Sequence, residues 1–154
     1  MATVRATRTF PGSVHEAETL WYDTSRWPTW VDGLAHVEKV EGSWPQAGSR
    51  VVWHSHPAGR GRVVERALAH ERLSGQTLEI EDESIRGQQT VSFTPVDGQV
   101  EVQLALTYQI KKRSPITPLI DLVFIRRAMT ASLGKTLARF GVELRAEREQ
   151  GARN

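Results

Sequence analysis

The chain has 154 residues, 39% hydrophobic and 25% charged, which is enough to bury one continuous core and cramped for two domains. It contains no cysteine, which excludes disulfides, thiolate nucleophiles, iron–sulfur clusters and cysteine-bearing zinc sites. Lys and Arg number 20 against 18 Asp and Glu, a balance that gives no reason to expect a nucleic-acid partner.

The first segment, Thr3 to Phe10, mixes β-branched and basic residues ahead of Pro11-Gly12, as a partly exposed strand ended by a turn would. The start, Met1 to Arg5, lacks the apolar block and cleavage site of a secretory signal, so a cytoplasmic location is expected. Ser13-Val14-His15-Glu16 has the spacing of a capping box and predicts a helix from Val14 to about Tyr22. Asp23-Thr24-Ser25 can end it and cap a second short helix around Trp27-Pro28-Thr29-Trp30, where Pro sits in the tolerated first turn.

Six strands follow: Ala35 to Glu41, Ser49 to His56, Arg62 to His70, Thr77 to Asp82, Gln88 to Pro95 and Gln99 to Lys111. The turn signals between them include Gly42-Ser43-Trp44-Pro45, Arg86-Gly87 and Asp97-Gly98, with Trp44 placed on an exposed hairpin tip. These intervals are too short for crossover helices, so the pairing should be antiparallel. In the last strand Val100, Val102, Leu104, Leu106, Tyr108 and Ile110 alternate with polar residues, which buries one face.

After Lys111-Lys112-Arg113, a helix should begin between Ser114 and Thr117 and run to about Glu147, with bending expected at Gly134 and Gly141. Leu119, Leu122, Val123, Met129, Leu133, Leu137, Phe140 and Leu144 recur on it at helical spacing. The apolar stretch Pro118 to Ile125, stopped by Arg126 and Arg127, is too short for the ~18 to 20 residues of a membrane span, so no integral membrane association is expected. Residues 1–149 therefore read as one domain and 150–154 as a polar tail expected to fray.

This order of elements, with the block Trp21-Tyr22-Asp23-Thr24-Ser25-Arg26-Trp27-Pro28-Thr29-Trp30, resembles the START-like superfamily of polyketide cyclase/dehydrase and lipid-transport (SRPBCC) proteins. Its most specific piece is Arg26-Trp27-Pro28-Thr29-Trp30, similar to the family's recurring RWPxW turn; Gly48-Ser49-Arg50 and the final helix match more loosely. The resemblance implies an α+β helix-grip fold, in which a curved antiparallel sheet of six to seven strands wraps a long C-terminal helix and leaves a cavity between them. It implies a small hydrophobic ligand, and members range from carriers to aromatase/cyclases, so fold alone does not name an activity.

Several side chains are candidates for the cavity wall. Trp27 and Trp30 flank Pro28 near the implied mouth, where they would contact a ligand, anchor the short helix, or both. Trp53 is the inward residue of its strand, which turns His54 and His56 outward. The His54-x-His56 pair lacks a third ligand, so no metal is expected, and no motif calls for a cofactor. No nucleophile elbow or Ser/His/Asp set is present. An enzyme would have to use orienting and acid–base groups. Arg126 falls at the centre of the apolar stripe or at the cavity rim, and Met129 lies on the same stripe. Tyr108 lies on the buried strand face. Either Glu65 or Arg66 must point inward, Glu65 as a general acid or Arg66 as an anion-orienting group. The leading expectation is a binder of a polyketide, lipid or isoprenoid-like molecule. A cyclase or dehydratase is the alternative, and an interaction module touching an acidic partner or membrane through Lys111-Lys112-Arg113 is the third.

Overall fold

The computed structural model describes residues 1–111 and 119–153. Strand β1 (Ala2–Pro11) is followed by helix α1 (Val14–Tyr22), a 3-10 turn (Thr24–Arg26) and helix α2 (Trp27–Trp30). Reciprocal capping fixes the start of α1: Ser13 Oγ accepts from the Glu16 amide at 3.1 Å, and the Glu16 carboxylate accepts from the Ser13 amide at 3.0 Å. Asp23 Oδ1 then accepts from the Ser25 amide at 3.1 Å and opens the 3-10 turn.

The chain continues through β2 (Leu34–Glu41), β3 (Arg50–Ser55), β4 (Arg62–Glu71), β5 (Gly75–Glu81), β6 (Ile85–Val96) and β7 (Gln99–Ile110), and ends in α3 (Leu119–Arg153). The strands form one antiparallel sheet in the order β1-β7-β6-β5-β4-β3-β2, so that the first strand joins the last and β2 forms the far edge. The Asp97-Gly98 turn takes positive φ at both residues, 48° and 77°, as a tight hairpin requires.

Two boundaries differ from expectation. Arg86-Gly87 lies inside β6 rather than in a turn, because the reversal is made earlier by Asp82, whose Oδ1 accepts from the Ser84 and Ile85 amides at 2.7 and 2.9 Å. The segment expected to fray continues α3 through Arg153, since nothing in Gln150-Gly151-Ala152 is strong enough to stop an established helix.

The alternation read along β7 is observed: Val100, Val102, Leu104, Leu106 and Tyr108 are buried. On α3 the stripe holds only in part. Leu133, Leu137, Phe140 and Leu144 are buried, Leu122 and Met129 are half-buried, and Val123 is exposed. Leu119 lies outside the residues whose side chains are described. The buried run is clamped by aromatic rings, with Phe140 in edge contact with Phe10, Trp21 and Trp30 at centroid distances of 5.6, 5.0 and 5.1 Å. Gly141 belongs to this clamp: a Cβ there would stand 2.5 Å from Phe10 Cε1, so the ring packs directly on the helix backbone. That close approach gives Gly141 a packing role on an unbroken α3.

Candidate functional site

Between the sheet and α3 lies a cavity of about 60 Å³. Its aromatic wall is Trp21, Trp27 and Trp30 from α1 and α2 and Trp53 from β3, and Leu133 and Thr136 close it from α3. Trp27 and Trp30 are thus at once anchors of α2 and cavity lining. Trp27 donates its indole N–H to the Trp21 carbonyl at 2.8 Å, whereas Trp30 Nε1 is buried with no hydrogen-bond partner among the described residues.

The floor of the cavity settles the choice between adjacent residues of β4. Glu65 points inward and is buried, while Arg66 is exposed and pairs with Glu79 at 3.1 Å. Glu65 Oε2 accepts the indole N–H of Trp53 at 2.5 Å. Burial pushes the Glu65 carboxyl above its usual range; the Trp53 hydrogen bond and the charge of Arg60 act in the opposite direction.

Arg60 comes from the β3–β4 loop. Its guanidinium lies 5.6 Å from the Trp53 ring centroid, and its Nε donates to the buried Asp82 carboxylate at 2.7 Å. Its Nη2 is buried and has no partner among the described residues. Arg60, Trp21 and Gln89 were not among the residues singled out from sequence. The partner that turns Arg60 inward, Asp82, is 22 residues away in the chain.

At the mouth of the cavity Asp32 bolts the loop after α2 to α3. Its amide donates to Thr136 Oγ1 at 3.0 Å, and its carboxylate accepts from Ser132 Oγ at 2.8 Å and from Arg139 Nη1 at 3.2 Å.

Tyr108 and Arg126 belong to a different space, a pocket of about 440 Å³ between the ends of β1 and β7 and the first turns of α3, lined also by Ile110 and Leu122. Arg126 is exposed and its Nη2 reaches the Thr3 carbonyl at 3.4 Å. It is a rim residue and not the centre of the stripe, since it stands beside the edge strand β1 and is exposed. Burial raises the Tyr108 hydroxyl pKa, and nearby Arg126 pulls it back. Met129 is half-buried, packs against the core and lines neither space. The residues expected to form one wall are therefore divided between an inner cavity and a rim pocket.

Trp44 does not sit on an exposed tip. It is half-buried, with its ring 5.7 Å from that of Trp27 and its Nε1 donating to the Tyr22 carbonyl at 3.1 Å. The β2–β3 loop folds back because Gln76 Nε2 holds the Pro45 carbonyl at 3.0 Å. His54 lies on the outer face, hydrogen-bonded to Glu38 at 2.8 Å and stacked on His36, and His56 is exposed. No group of three metal-ligating side chains occurs among the described residues. Lys111 is held by Glu81 at 2.8 Å; Lys112 and Arg113 lie outside the described residues. Among the described residues no helix is long and apolar enough to cross a membrane.

A seven-stranded antiparallel sheet with a long C-terminal helix, and short helices after the first strand, is the fold that the family resemblance implied. The model of the family described as polyketide cyclase/dehydrase and lipid transport matches residues 1–145. The chain belongs to this family. Solved structures share the fold. A protein from Thermus thermophilus is 21% identical, with 95% of this chain and 99% of that one covered and a TM-score of 0.75. A START superfamily protein from Mycobacterium smegmatis is 10% identical, with 94% and 97% covered and a TM-score of 0.71. Truncated norcoclaurine synthase from Thalictrum flavum is 12% identical, with 91% of each chain covered and a TM-score of 0.65. No curated protein matches the chain.

Proposed function

We propose that this protein binds a small, largely apolar molecule of the polyketide, lipid or isoprenoid-like class between its sheet and α3, in the cytoplasm, with Trp27, Trp30 and Trp53 as the wall. The observation that carries this reading is the inner cavity itself, where four indole rings surround a space that also holds buried polar groups. A solid core would have no use for a buried carboxyl and an unpartnered indole N–H at its centre. At about 60 Å³ the space is far below the ~300 Å³ or more of a typical ligand site, so binding requires the wall to move. The stretch of α3 from Leu122 to Thr130, where no side chain is fully buried, has least to lose by moving, and the adjoining pocket beside Tyr108 and Arg126 that it lines is the space into which a ligand would extend. Met129, which packs against the core on α3, would meet a ligand only after such a movement.

The test is titration with neutral phenylnaphthylamine, followed by energy transfer from tryptophan. One-to-one saturable binding is expected, and Leu133→Trp, which fills the cavity from α3, should abolish it without unfolding the protein. Absence of saturable binding to the unmodified protein would defeat the reading.

A second reading, a cyclase or dehydratase, is favoured by one observation: Glu65 is a carboxyl on the cavity lining whose pKa burial raises, the direction a general acid requires. If it holds, Glu65→Gln should leave binding of a poly-β-keto compound intact and lower its turnover by ~100-fold or more. A carrier would show no turnover with either form.

A further inference from the structure

Two buried polar atoms on the lining of the inner cavity have no partner among the described residues, and both are N–H donors. Trp30 is 1% exposed and its Nε1–H has no partner among the described residues. Arg60 Nη2 is likewise buried and unpartnered, although Arg60 Nε is committed to Asp82. Both residues line the same cavity. The third group, Glu65, has its Oε2 occupied by the Trp53 indole, and burial favours its neutral form, which adds an O–H rather than a lone pair. A buried donor left without an acceptor is costly, so a ligand that supplies one is selected over an equally apolar ligand that does not.

We propose that the site recognises a neutral carbonyl oxygen, which accepts from Trp30 Nε1–H and Arg60 Nη2–H while the apolar remainder of the ligand lies against the indole wall. The proposal rests on the cavity being a ligand site. A carbonyl oxygen offers two lone pairs to two N–H groups and has no proton of its own to place. A hydroxyl can accept from the same two groups but must also place a proton of its own. A carboxylate fits less well for a different reason: the Arg60 charge is already balanced by Asp82 at 2.7 Å, so a buried anion would find no free counter-charge.

Four probes of one shape separate these cases: acetylnaphthalene, naphthylethanol, ethylnaphthalene and naphthoate, substituted at the same ring position and titrated calorimetrically. The ketone should bind about tenfold or more tightly than the hydrocarbon, the alcohol and the carboxylate, the effect of one well-made buried hydrogen bond or more. Arg60→Met and Trp30→Phe should each remove most of that preference, read as the ratio of ketone to hydrocarbon affinity within the same variant. Infrared spectroscopy supplies a readout that altered packing would not move. The carbonyl stretch of bound acetylnaphthalene should fall below its frequency in hydrocarbon solvent and return towards it in Arg60→Met. Equal affinities for ketone and hydrocarbon, or an unshifted carbonyl band in the wild-type complex, would overturn the proposal and leave the apolar binding site standing. Tightest binding of naphthoate or of the alcohol would overturn the choice of carbonyl. Failure of all four probes to bind would defeat the underlying site as well.

Discussion

Two stretches of α3, Leu122 to Thr130 and Leu133 to Leu144, carry six apolar residues each and use them differently. From Leu133 to Leu144 the helix is locked, with four buried apolar side chains, the Phe10 ring pressed on Gly141, and Phe140 set among Trp21 and Trp30. From Leu122 to Thr130 no side chain is fully buried, and Phe124 is 73% exposed. A helix held this firmly at one end and this lightly at the other should act as a hinged cover: the aromatic end fixes the fold and closes the inner cavity through Leu133 and Thr136, and the light end, which lines the rim pocket, is the part expected to lift at small cost.

The largest test of this contrast is truncation of one ring in each half. Phe140→Ala should cost ~3 to 5 kcal/mol in urea unfolding, the usual range for a fully packed aromatic, and Phe124→Ala should stay within ~0.5 kcal/mol. Similar losses at both positions would break the comparison.

The glycines sharpen it. Gly141→Ala would force a methyl group into the Phe10 ring and should cost ~1 to 3 kcal/mol, whereas Gly134→Ala meets nothing within 4 Å and should stabilise the helix by up to ~1 kcal/mol. Thermal melts of the two variants should therefore move in opposite directions.

Asp32 is the tie between the locked half and the loop at the cavity mouth. Asp32→Ala removes its bonds to Ser132 and Arg139, and because Arg139 is half-exposed the stability cost should be only ~1 kcal/mol. Stopped-flow mixing with phenylnaphthylamine should nonetheless show faster association and faster release. Unchanged rates would place ligand access elsewhere.

The smallest effect expected is a pH slope. Glu65 has a folded pKa raised above its ordinary value of 4.5, so the native state holds a proton that the unfolded chain has released. Its contribution to stability is complete below that ordinary value and is lost as pH rises through the folded pKa. Glu65→Gln should flatten this decline, seen as a smaller loss of urea midpoint between weakly acidic and weakly basic pH. An unchanged slope would mean that Glu65 ionises freely where it sits.

The elements were legible in the sequence because each carried a local signal: the Ser13/Glu16 box, the Asp97-Gly98 turn, the alternation of β7. The inward turn of Trp53 was readable for the same reason, from strand parity and size. What the sequence withheld depends on register and on distant partners. Whether Glu65 or Arg66 faced inward was a question of parity in a strand without clear alternation. Arg60 is turned in by Asp82 across a hairpin, and Trp44 is drawn back by Gln76 from β5. Arg126 and Val123 were placed by the 3.6-residue period, which gives the face of a helix but not whether the sheet lies under that stretch of it.

Amide hydrogen exchange along α3, read in the free protein and with saturating acetylnaphthalene, tests the hinged cover most directly. The expected result is early exchange from Leu122 to Thr130, late exchange from Leu133 to Leu144, and a marked slowing of the early segment alone when the probe binds. Uniform protection along the helix in the free protein, or probe binding that leaves the first segment's exchange unchanged, would contradict it.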